Sequence, residues 1–99
     1  MTNYRVVAQP LVDQDVEAAF EWYHSEKPGL GYKLLDQLRA CYDRILQAFK
    51  YQVLRFGIRR ALLARFPYAV YYAVEENLVV VLAVLHAKRD PAEWQRRGV

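Results

Sequence analysis

The chain has 99 residues, 55% of them hydrophobic, and this length fits one domain covering residues 1–99. No apolar run approaches the ~20 residues of a transmembrane helix, and the N-terminal residues lack the apolar segment of a signal peptide. A membrane-spanning or secreted protein is therefore not expected, and the predicted location is the cytoplasm. The net charge of +3 is uneven: residues 1–54 hold six Lys/Arg against seven Asp/Glu, and residues 55–99 hold eight against four. This asymmetry is typical of a protein that binds an acidic protein or a nucleic acid, although a merely solvated surface would have the same composition.

The first half predicts a short strand and a helical hairpin. β-Branched residues before Pro10 predict a strand over residues 2–8. Apolar side chains then recur every three or four residues, which predicts a helix over residues 11–26. Lys27-Pro28-Gly29 ends that pattern, and a second helix is predicted from about residue 30 to residue 49. Two helices with so short a connection should lie antiparallel.

The sequence predicts whether four side chains of these helices are buried or exposed. Trp22 and Tyr23 are expected to pack between the first helix and the sheet, whereas His24 is expected on the surface. The single cysteine, Cys41, lies on the apolar stripe of the second helix and is expected to be a buried, unreactive thiol.

The second half predicts a sheet, because the apolar period changes from 3.6 to 2 after Tyr51. Strands are predicted over residues 52–56, 58–66, 68–75 and 78–85. Pro67 lacks the N–H that a ladder requires, so the chain should turn there. Asn tolerates a positive φ, and Glu76-Asn77 therefore predicts a tight hairpin.

Alternation in the strand over residues 58–66 separates its three arginines. Arg59 and Arg65 share one face. Arg60 falls on the opposite face, beside apolar side chains, and is expected to extend past the helices. Among the tyrosines of the following strand, Tyr71 is expected to share the face of Arg59 and Arg65.

The last predicted strand, residues 78–85, is apolar at every position, which indicates an interior strand or one covered on both faces. Asp90 and Pro91 then predict the N-cap and first residue of a short helix, which Trp94 should fasten to the body. The resulting order is β-α-α-β-β-β-β with a short C-terminal helix. This is an α+β fold, with the helix hairpin packed on one face of a small, mainly antiparallel sheet and the other face or its rim left for a partner.

Three segments, taken together, resemble a known family. They are EAAFEWYHSEKPGLGYKLLDQL in the helix hairpin, RRALLARFPYAVYYAVE across the middle strands and VLAVLHAKRDPAEW at the end. Their order and spacing are similar to those of the RelE/ParE superfamily of toxins from type II toxin–antitoxin systems. The ending LHAKRDP is nearest to ParE-like and plasmid-stabilisation members. The resemblance implies a small basic toxin whose growth inhibition is neutralised by an antitoxin from the same operon.

The resemblance leaves the target of the toxin open. ParE-like members inhibit DNA gyrase, whereas RelE-like members are ribosome-dependent mRNA interferases, and these are different functions on one fold. Gyrase inhibition is favoured, because many mRNA interferases have a Tyr near the end of the last strand and none accompanies His86 there. The mRNA interferase is the alternative, and a non-toxic remnant that only binds the antitoxin is the second alternative.

If the chain is an enzyme, the resemblance implies a metal-independent endoribonuclease. His86 would then be the catalytic acid or base, with Arg59, Arg65 and Arg89 stabilising the charge of the phosphorane. The same residues also fit simpler roles. A His at a strand end is often a structural hydrogen-bonding residue, and the arginines are equally suited to pairing with antitoxin carboxylates.

No cluster of Cys, His, Asp and Glu has metal-ligand spacing and no glycine-rich phosphate loop occurs, so neither a metal nor an organic cofactor is expected. The expected partners are the antitoxin and a macromolecular target, either gyrase or the ribosome with mRNA. Without them, the chain is expected to be a monomer or a weak dimer.

Overall fold

The computed structural model describes residues 4–47, 53–55, 57–89 and 91–97, and every structural statement below concerns these residues. Within them the chain forms five strands and three helices in the predicted order. The elements are β1 (Arg5–Ala8), α1 (Pro10–Glu26), α2 (Leu30–Gln47), β2 (Val53–Arg55), β3 (Ile58–Leu62), β4 (Tyr68–Glu75), β5 (Leu78–His86) and α3 (Pro91–Arg97). The predicted α+β fold is confirmed. Some predicted ends of helices and strands lie outside the described residues, namely those at residues 2–3, 48–49, 52 and 56. The predicted N-cap, Asp90, also lies outside them.

The strands form one sheet in the order β1-β5-β4-β3-β2. β1 is parallel to β5, and the other three pairs are antiparallel, as expected for a mainly antiparallel sheet. β5 therefore lies between β1 and β4, and most of its side chains are buried. This position explains the continuous apolar sequence of β5 and confirms that it is an interior strand.

The hairpin of α1 and α2 covers one face of the sheet. Its core joins the apolar stripes of both helices to one side of the strands, with Leu34, Ile45 and Tyr72 among the buried members. Cys41 is buried in the same cluster, as predicted, with its Sγ 3.9 Å from the carbonyl oxygen of Ala61. Burial raises the pKa of the Cys41 thiol, so the reactive thiolate is disfavoured.

The opposite face of the sheet is covered in part by α3. Trp94 is 7% exposed and stacks on Tyr71, with ring centroids 5.3 Å apart and ring planes inclined by 9°. Ile58 and Leu85 belong to the same buried cluster. Trp94 therefore fastens the short helix to the sheet, as predicted, and this face is less open to a partner than the sequence indicates.

A β-bulge interrupts the pairing of β5 with β4. Tyr71 is paired with Ala83 and Tyr72 with Val81, so Leu82 is an extra residue on β5. Odd-numbered residues of β5 face the hairpin before the bulge, and even-numbered residues do so after it. The side chain at the end of β5 is consequently turned to the hairpin side.

β3 is shorter than predicted and ends at Leu62, four residues early. The chain then turns, since the Leu63 N–H donates to the Tyr68 carbonyl oxygen at 2.9 Å and Arg65 adopts a left-handed φ of 71°. A left-handed φ is incompatible with a strand, so the alternation of β3 does not extend to Arg65. The prediction that Arg59 and Arg65 share a strand face is therefore wrong.

The helix hairpin covers the face of β3 opposite to the one that was predicted. Ala61 is buried beneath the hairpin, whereas Ile58 belongs to the cluster under α3. Arg59 therefore lies on the hairpin face, and Arg60 lies on the α3 face, where it is paired with Tyr71. The prediction that Arg60 extends past the helices is wrong, as is the prediction that Tyr71 shares the face of Arg59.

The hairpin brings its two helices into close contact at Gly31. A Cβ atom at this position would lie 2.7 Å from Cδ2 of Phe20 and 2.9 Å from the Phe20 carbonyl oxygen. Near this contact, Tyr23 is half-buried and His24 is exposed, both as predicted. Trp22 is 59% exposed, so the prediction that it packs between helix and sheet is wrong.

Candidate functional site

Three of the four predicted site residues, Arg65, His86 and Arg89, lie at one end of the sheet, where β3 ends, β4 begins and β5 ends. His86 is the last residue of β5 and is paired with Tyr68, the first residue of β4. Their ring centroids are 5.6 Å apart and the planes are inclined by 66°, which is an edge-on contact. β4 thus supplies His86 with a neighbouring tyrosine that is distant in sequence.

The imidazole of His86 is held by the turn that follows it. The Lys88 N–H donates to Nδ1 of His86 at 3.1 Å, and the Arg89 N–H donates to the His86 carbonyl oxygen at 2.9 Å. An Nδ1 that accepts a hydrogen bond carries no proton, so the neutral ring has its proton on Nε2. The ring therefore presents an N–H donor, and the lone pair of its other nitrogen is already engaged.

Tyr23 and Phe66 continue the aromatic cluster from Tyr68 towards the hairpin. Tyr23 contacts Phe66 edge-on at 4.9 Å and Tyr68 at 6.0 Å. Burial, with a smaller contribution from Tyr68, raises the pKa of Tyr23 above its ordinary value of 10.0. The Tyr23 phenol is therefore neutral at physiological pH, so it can donate a hydrogen bond but does not act as a base.

Two cavities flank the contact between Tyr23 and Tyr68. The first has a volume of about 550 Å³ and lies between the hairpin and the β3–β4 loop. Its charged lining consists of Lys33 and Arg65 with one carboxylate, Asp36. Because the cations outnumber the carboxylate, this cavity suits an acidic group of a partner.

The second cavity has a volume of about 400 Å³ and lies between α1 and the end of β5. Trp22 and Arg89 line it together with Asp15. The Asp15 carboxylate accepts two bonds from the Arg97 guanidinium, at 2.9 and 3.0 Å, and one from the Val84 N–H at 3.1 Å. Asp15 is neutralised by Arg97, and Arg89 is the charged residue lining this cavity that has no ion-pair partner among the described residues.

The structure does not bring Arg59 to this end of the sheet. Arg59 is paired with Tyr72, four residues along β4 from Tyr68, which corresponds to about 13 Å along the strand. In addition to this strand pairing, Arg59 interacts with another residue. Of the four residues predicted for the site, His86, Arg65 and Arg89 therefore lie at the end of the sheet, and Arg59 does not.

Sequence reasoning missed three residues of this site, namely Tyr23, Lys33 and Tyr68. Tyr23 and Tyr68 were predicted to be packing residues, and they do pack, but Tyr23 also lines the first cavity and Tyr68 lines the second. Lys33 is one of two exposed cations on α2, with Arg39, and has no distinguishing pattern. The tight turn at residues 76–77 could have placed Tyr68 within one residue of His86, since β4 and β5 pair outward from it, but the bulge at Leu82 sets the final register.

Comparison with protein families identifies the fold and its function class. The model of the ParE toxin of type II toxin–antitoxin systems (parDE) matches residues 4–91. The chain belongs to the ParE toxin family. This confirms the resemblance to the RelE/ParE superfamily and selects its ParE branch. A ParE toxin is one half of a toxin–antitoxin pair, so an antitoxin is the partner that family membership implies.

A solved structure has the same fold as this ParE toxin. It is described as the chromosomal ParDE toxin–antitoxin system from P. aeruginosa, and it is similar with a TM-score of 0.75 and 15% sequence identity, over 85% of this chain and 96% of that chain. At this identity the similarity concerns the fold. No curated protein sequence matches the chain significantly.

Two further observations concern the described residues of the toxin. None of the helices among the described residues is long and apolar enough to cross a membrane. In the same part of the chain, no group of three or more His, Cys, Asp or Glu side chains could hold a metal ion.

Proposed function

We propose that this ParE toxin arrests growth by binding DNA gyrase through the sheet end that carries Arg65, His86 and Arg89, and that it does not cleave RNA. Membership of the ParE family supports this target, because ParE-like toxins inhibit gyrase. The observation that carries the choice against RNA cleavage is the hydrogen bond from the Lys88 N–H to Nδ1 of His86.

The state of His86 is unfavourable for RNA cleavage. Attack by a 2′-hydroxyl needs a base with a free lone pair and an acid on the far side of the phosphate. Nδ1 of His86 already accepts a backbone N–H, and Nε2 carries the proton, so the neutral ring cannot take a proton without losing its hydrogen bond. Arg59, which would have to stabilise the phosphorane, is paired at Tyr72, away from this end of the sheet.

The same end of the sheet is well suited to binding an acidic protein surface. Arg65 and Arg89 flank a cluster of aromatic rings, and arginine with tyrosine or tryptophan is the composition enriched at interaction hot spots. Arg65 also keeps a left-handed φ of 71°, which costs a non-glycine residue about 1–2 kcal/mol. Strain of this kind is concentrated at functional positions, which supports a role of Arg65 in target binding.

A supercoiling assay with charge-removing variants tests the proposal. Purified toxin added to DNA gyrase and relaxed plasmid is expected to abolish supercoiling and to trap a gyrase–DNA cleavage complex. Arg65→Ala and Arg89→Ala should each raise the half-inhibiting concentration about tenfold, which corresponds to about 1.4 kcal/mol. Arg96→Ala is the matched control, because Arg96 lies exposed on α3 and should leave inhibition unchanged.

Full supercoiling in the presence of excess toxin would contradict the gyrase target. Cleavage of mRNA in a ribosomal translation reaction, lost in His86→Ala, would instead identify an mRNA interferase. Expression without any growth defect would identify a remnant that only binds the antitoxin. We further propose that the free toxin is a cytoplasmic monomer or weak dimer, and light scattering that shows a stable larger oligomer would contradict this.

A further inference from the structure

A row of polar and positively charged side chains runs along one side of α2. Lys33, Gln37 and Arg44 follow one another at spacings of four and seven residues, so they lie on the same side of the helix. This side is turned to the β3–β4 loop. It is distinct from the side that borders α1, where Leu35 and Tyr42 line the groove between the two helices.

Two contacts place this side of α2 beside the end of β3. Lys33 and Gln37 line the cavity of about 550 Å³ together with Arg65 of the β3–β4 loop. Further along α2, the Arg44 guanidinium donates to the carbonyl oxygen of Leu62, the last residue of β3, at 3.4 Å. Lys33, Arg44 and Arg65 therefore border one surface, which we call the cationic row.

The charges of the cationic row are not neutralised within the described residues. None of Lys33, Arg44 and Arg65 takes part in an ion pair there. Lys33 and Arg65 are exposed, and the half-buried Arg44 has further guanidinium N–H groups besides the one that bonds Leu62. Asp36 also lines the cavity, but the two cations there outnumber it. The row thus presents a net positive charge to a partner.

The length of the cationic row fits several phosphates of a DNA strand. Lys33 and Arg44 are eleven residues apart on α2, which corresponds to about 16 Å along the helix axis. Each strand of a duplex carries one phosphate for about every 3.4 Å of its axis. The two ends of the row can therefore reach different phosphates, and Arg65 can reach a third.

The composition of the row favours a phosphate backbone over a protein surface. Protein interfaces are centred on apolar or aromatic anchors that become buried on binding. Between Lys33 and Arg44, this side of α2 carries Gln37 and Ala40, and neither is such an anchor. Leu62 is exposed, but the alternation of β3 places its side chain on the α3 face of the sheet. Phosphate contacts need only cations and hydrogen-bond donors, which Lys, Arg and Gln supply.

The aromatic side chains at the cavity do not add a binding site for bases. Tyr23 and Phe66 line the cavity, but both are half-buried and they contact each other edge-on at 4.9 Å. Stacking on unpaired bases requires exposed ring faces. The row is therefore expected to contact the DNA backbone without selecting a base sequence.

We propose that the cationic row contacts the phosphate backbone of the DNA that gyrase holds. This inference rests on the proposed function, because gyrase brings the DNA to the toxin. It assigns Arg65 to the DNA and leaves Arg89, which lines the second cavity, for the gyrase protein. A toxin that contacts both components binds their complex more tightly than it binds either alone, so it stabilises the cleavage complex.

Fluorescence anisotropy of a labelled, mixed-sequence duplex of about 20 base pairs measures the contact without gyrase. Three phosphate contacts predict a slope of about −2.7 for log K against log salt concentration, so binding should weaken about 40-fold between about 50 and 200 mM salt. Lys33→Ala should change the slope to about −1.8 and the loss to about 12-fold. Arg39→Ala is the matched control, because Arg39 is the other exposed cation of α2 but lines a different cavity with Leu35 and Tyr42.

Two assays with gyrase separate the DNA contact from a protein contact. DNA-free gyrase should bind Lys33→Ala, Arg39→Ala and the unmodified toxin with equal affinity. With DNA present, Lys33→Ala should require about tenfold more toxin to trap the cleavage complex, whereas Arg39→Ala should require no more than the unmodified toxin. Arg44→Ala should behave as Lys33→Ala does. Lys33 is exposed, so the Lys33→Ala variant is expected to fold and decides the outcome by itself.

The outcomes separate the inference from the proposed function. The inference is overturned if the duplex is not bound at low salt, if Lys33→Ala leaves the slope unchanged, or if Arg39→Ala reduces it equally. Weaker binding of Lys33→Ala to DNA-free gyrase would assign the row to gyrase carboxylates, which overturns the DNA contact and leaves the gyrase target intact. Duplex binding with the expected slopes but without inhibition of supercoiling would contradict the gyrase target, while the phosphate contacts of the row would stand.

Discussion

The ion pair between Asp15 and Arg97 joins α1 to α3 beside β5, and its removal should lower the stability of the fold considerably. The Asp15 carboxylate accepts three hydrogen bonds of 2.9 to 3.1 Å, two from Arg97 and one from the Val84 N–H. The Asp15 side chain is only 9% exposed and that of Arg97 17%, so water cannot fully replace these bonds. Asp15→Ala should therefore lower the free energy of unfolding by about 3 kcal/mol, the lower end of the range for breaking a buried pair.

A double-mutant cycle measured by urea unfolding tests this estimate. Arg97→Ala should cost about 2 kcal/mol, because Asp15 keeps its bond to the Val84 N–H. The double variant should cost about as much as Asp15→Ala alone, which gives a coupling energy of about 2 kcal/mol. In a chain of this size, Asp15→Ala would lower Tm by roughly 12–24 °C.

The control for this cycle is the neighbouring arginine. Arg96 pairs with Glu93 at 3.4 Å on the surface of α3, so Arg96→Ala should change the free energy of unfolding by less than about 0.5 kcal/mol. The reasoning is refuted if the losses from Asp15→Ala and Arg97→Ala add up in the double variant to within about 0.5 kcal/mol, since additive losses mean that the two side chains are not coupled.

Two further predictions concern packing and pH. Gly31→Ala should lower the free energy of unfolding by about 1–2 kcal/mol, because its Cβ would meet the Phe20 ring and carbonyl oxygen and this clash outweighs the ~1 kcal/mol gain in helix propensity. Urea unfolding would contradict this if the variant were more stable. Burial raises the pKa of Tyr42 from 10.0 to about 12, so its stabilising contribution is complete below pH 10 and is lost as the pH rises through 12. Between pH 10 and 12, the Tyr42→Phe variant should therefore lose about 2 kcal/mol less stability than the unmodified protein. Equal losses in the two proteins would show that Tyr42 ionises freely.

Local patterns in the sequence were enough to predict the elements of the hairpin and most of the sheet. The helical period of α1 and α2 and the break at Lys27-Pro28-Gly29 depend on neighbouring residues alone, and so does the continuous apolar run of β5. Trp94 could be predicted as a buried anchor because a large aromatic side chain on a short terminal helix has little else to pack on. These predictions required no knowledge of how the elements meet.

The candidate site was only partly predictable, because it depends on register. Counting outward from the turn at residues 76–77 would pair Tyr68 with Leu85, since Glu75 is paired with Leu78. The bulge at Leu82 shifts this pairing by one residue and places Tyr68 opposite His86. The leucine at position 82 does not predict a bulge. The bulge forms because the pairing of two strands and the packing on both faces of the sheet must be satisfied together.

The sequence by itself determined the order of the elements, the identity of β5 as an interior strand, and the family resemblance, because periodicity and motif spacing are local properties. Only the tertiary structure decided which face of β3 the hairpin covers, since both faces carry apolar side chains and alternation is the same from either side. It also decided that Arg65 leaves the strand while Arg59 remains in it. It also decided that Tyr68 lies opposite His86, because the bulge at Leu82 shifts the pairing of β5 with β4 by one residue.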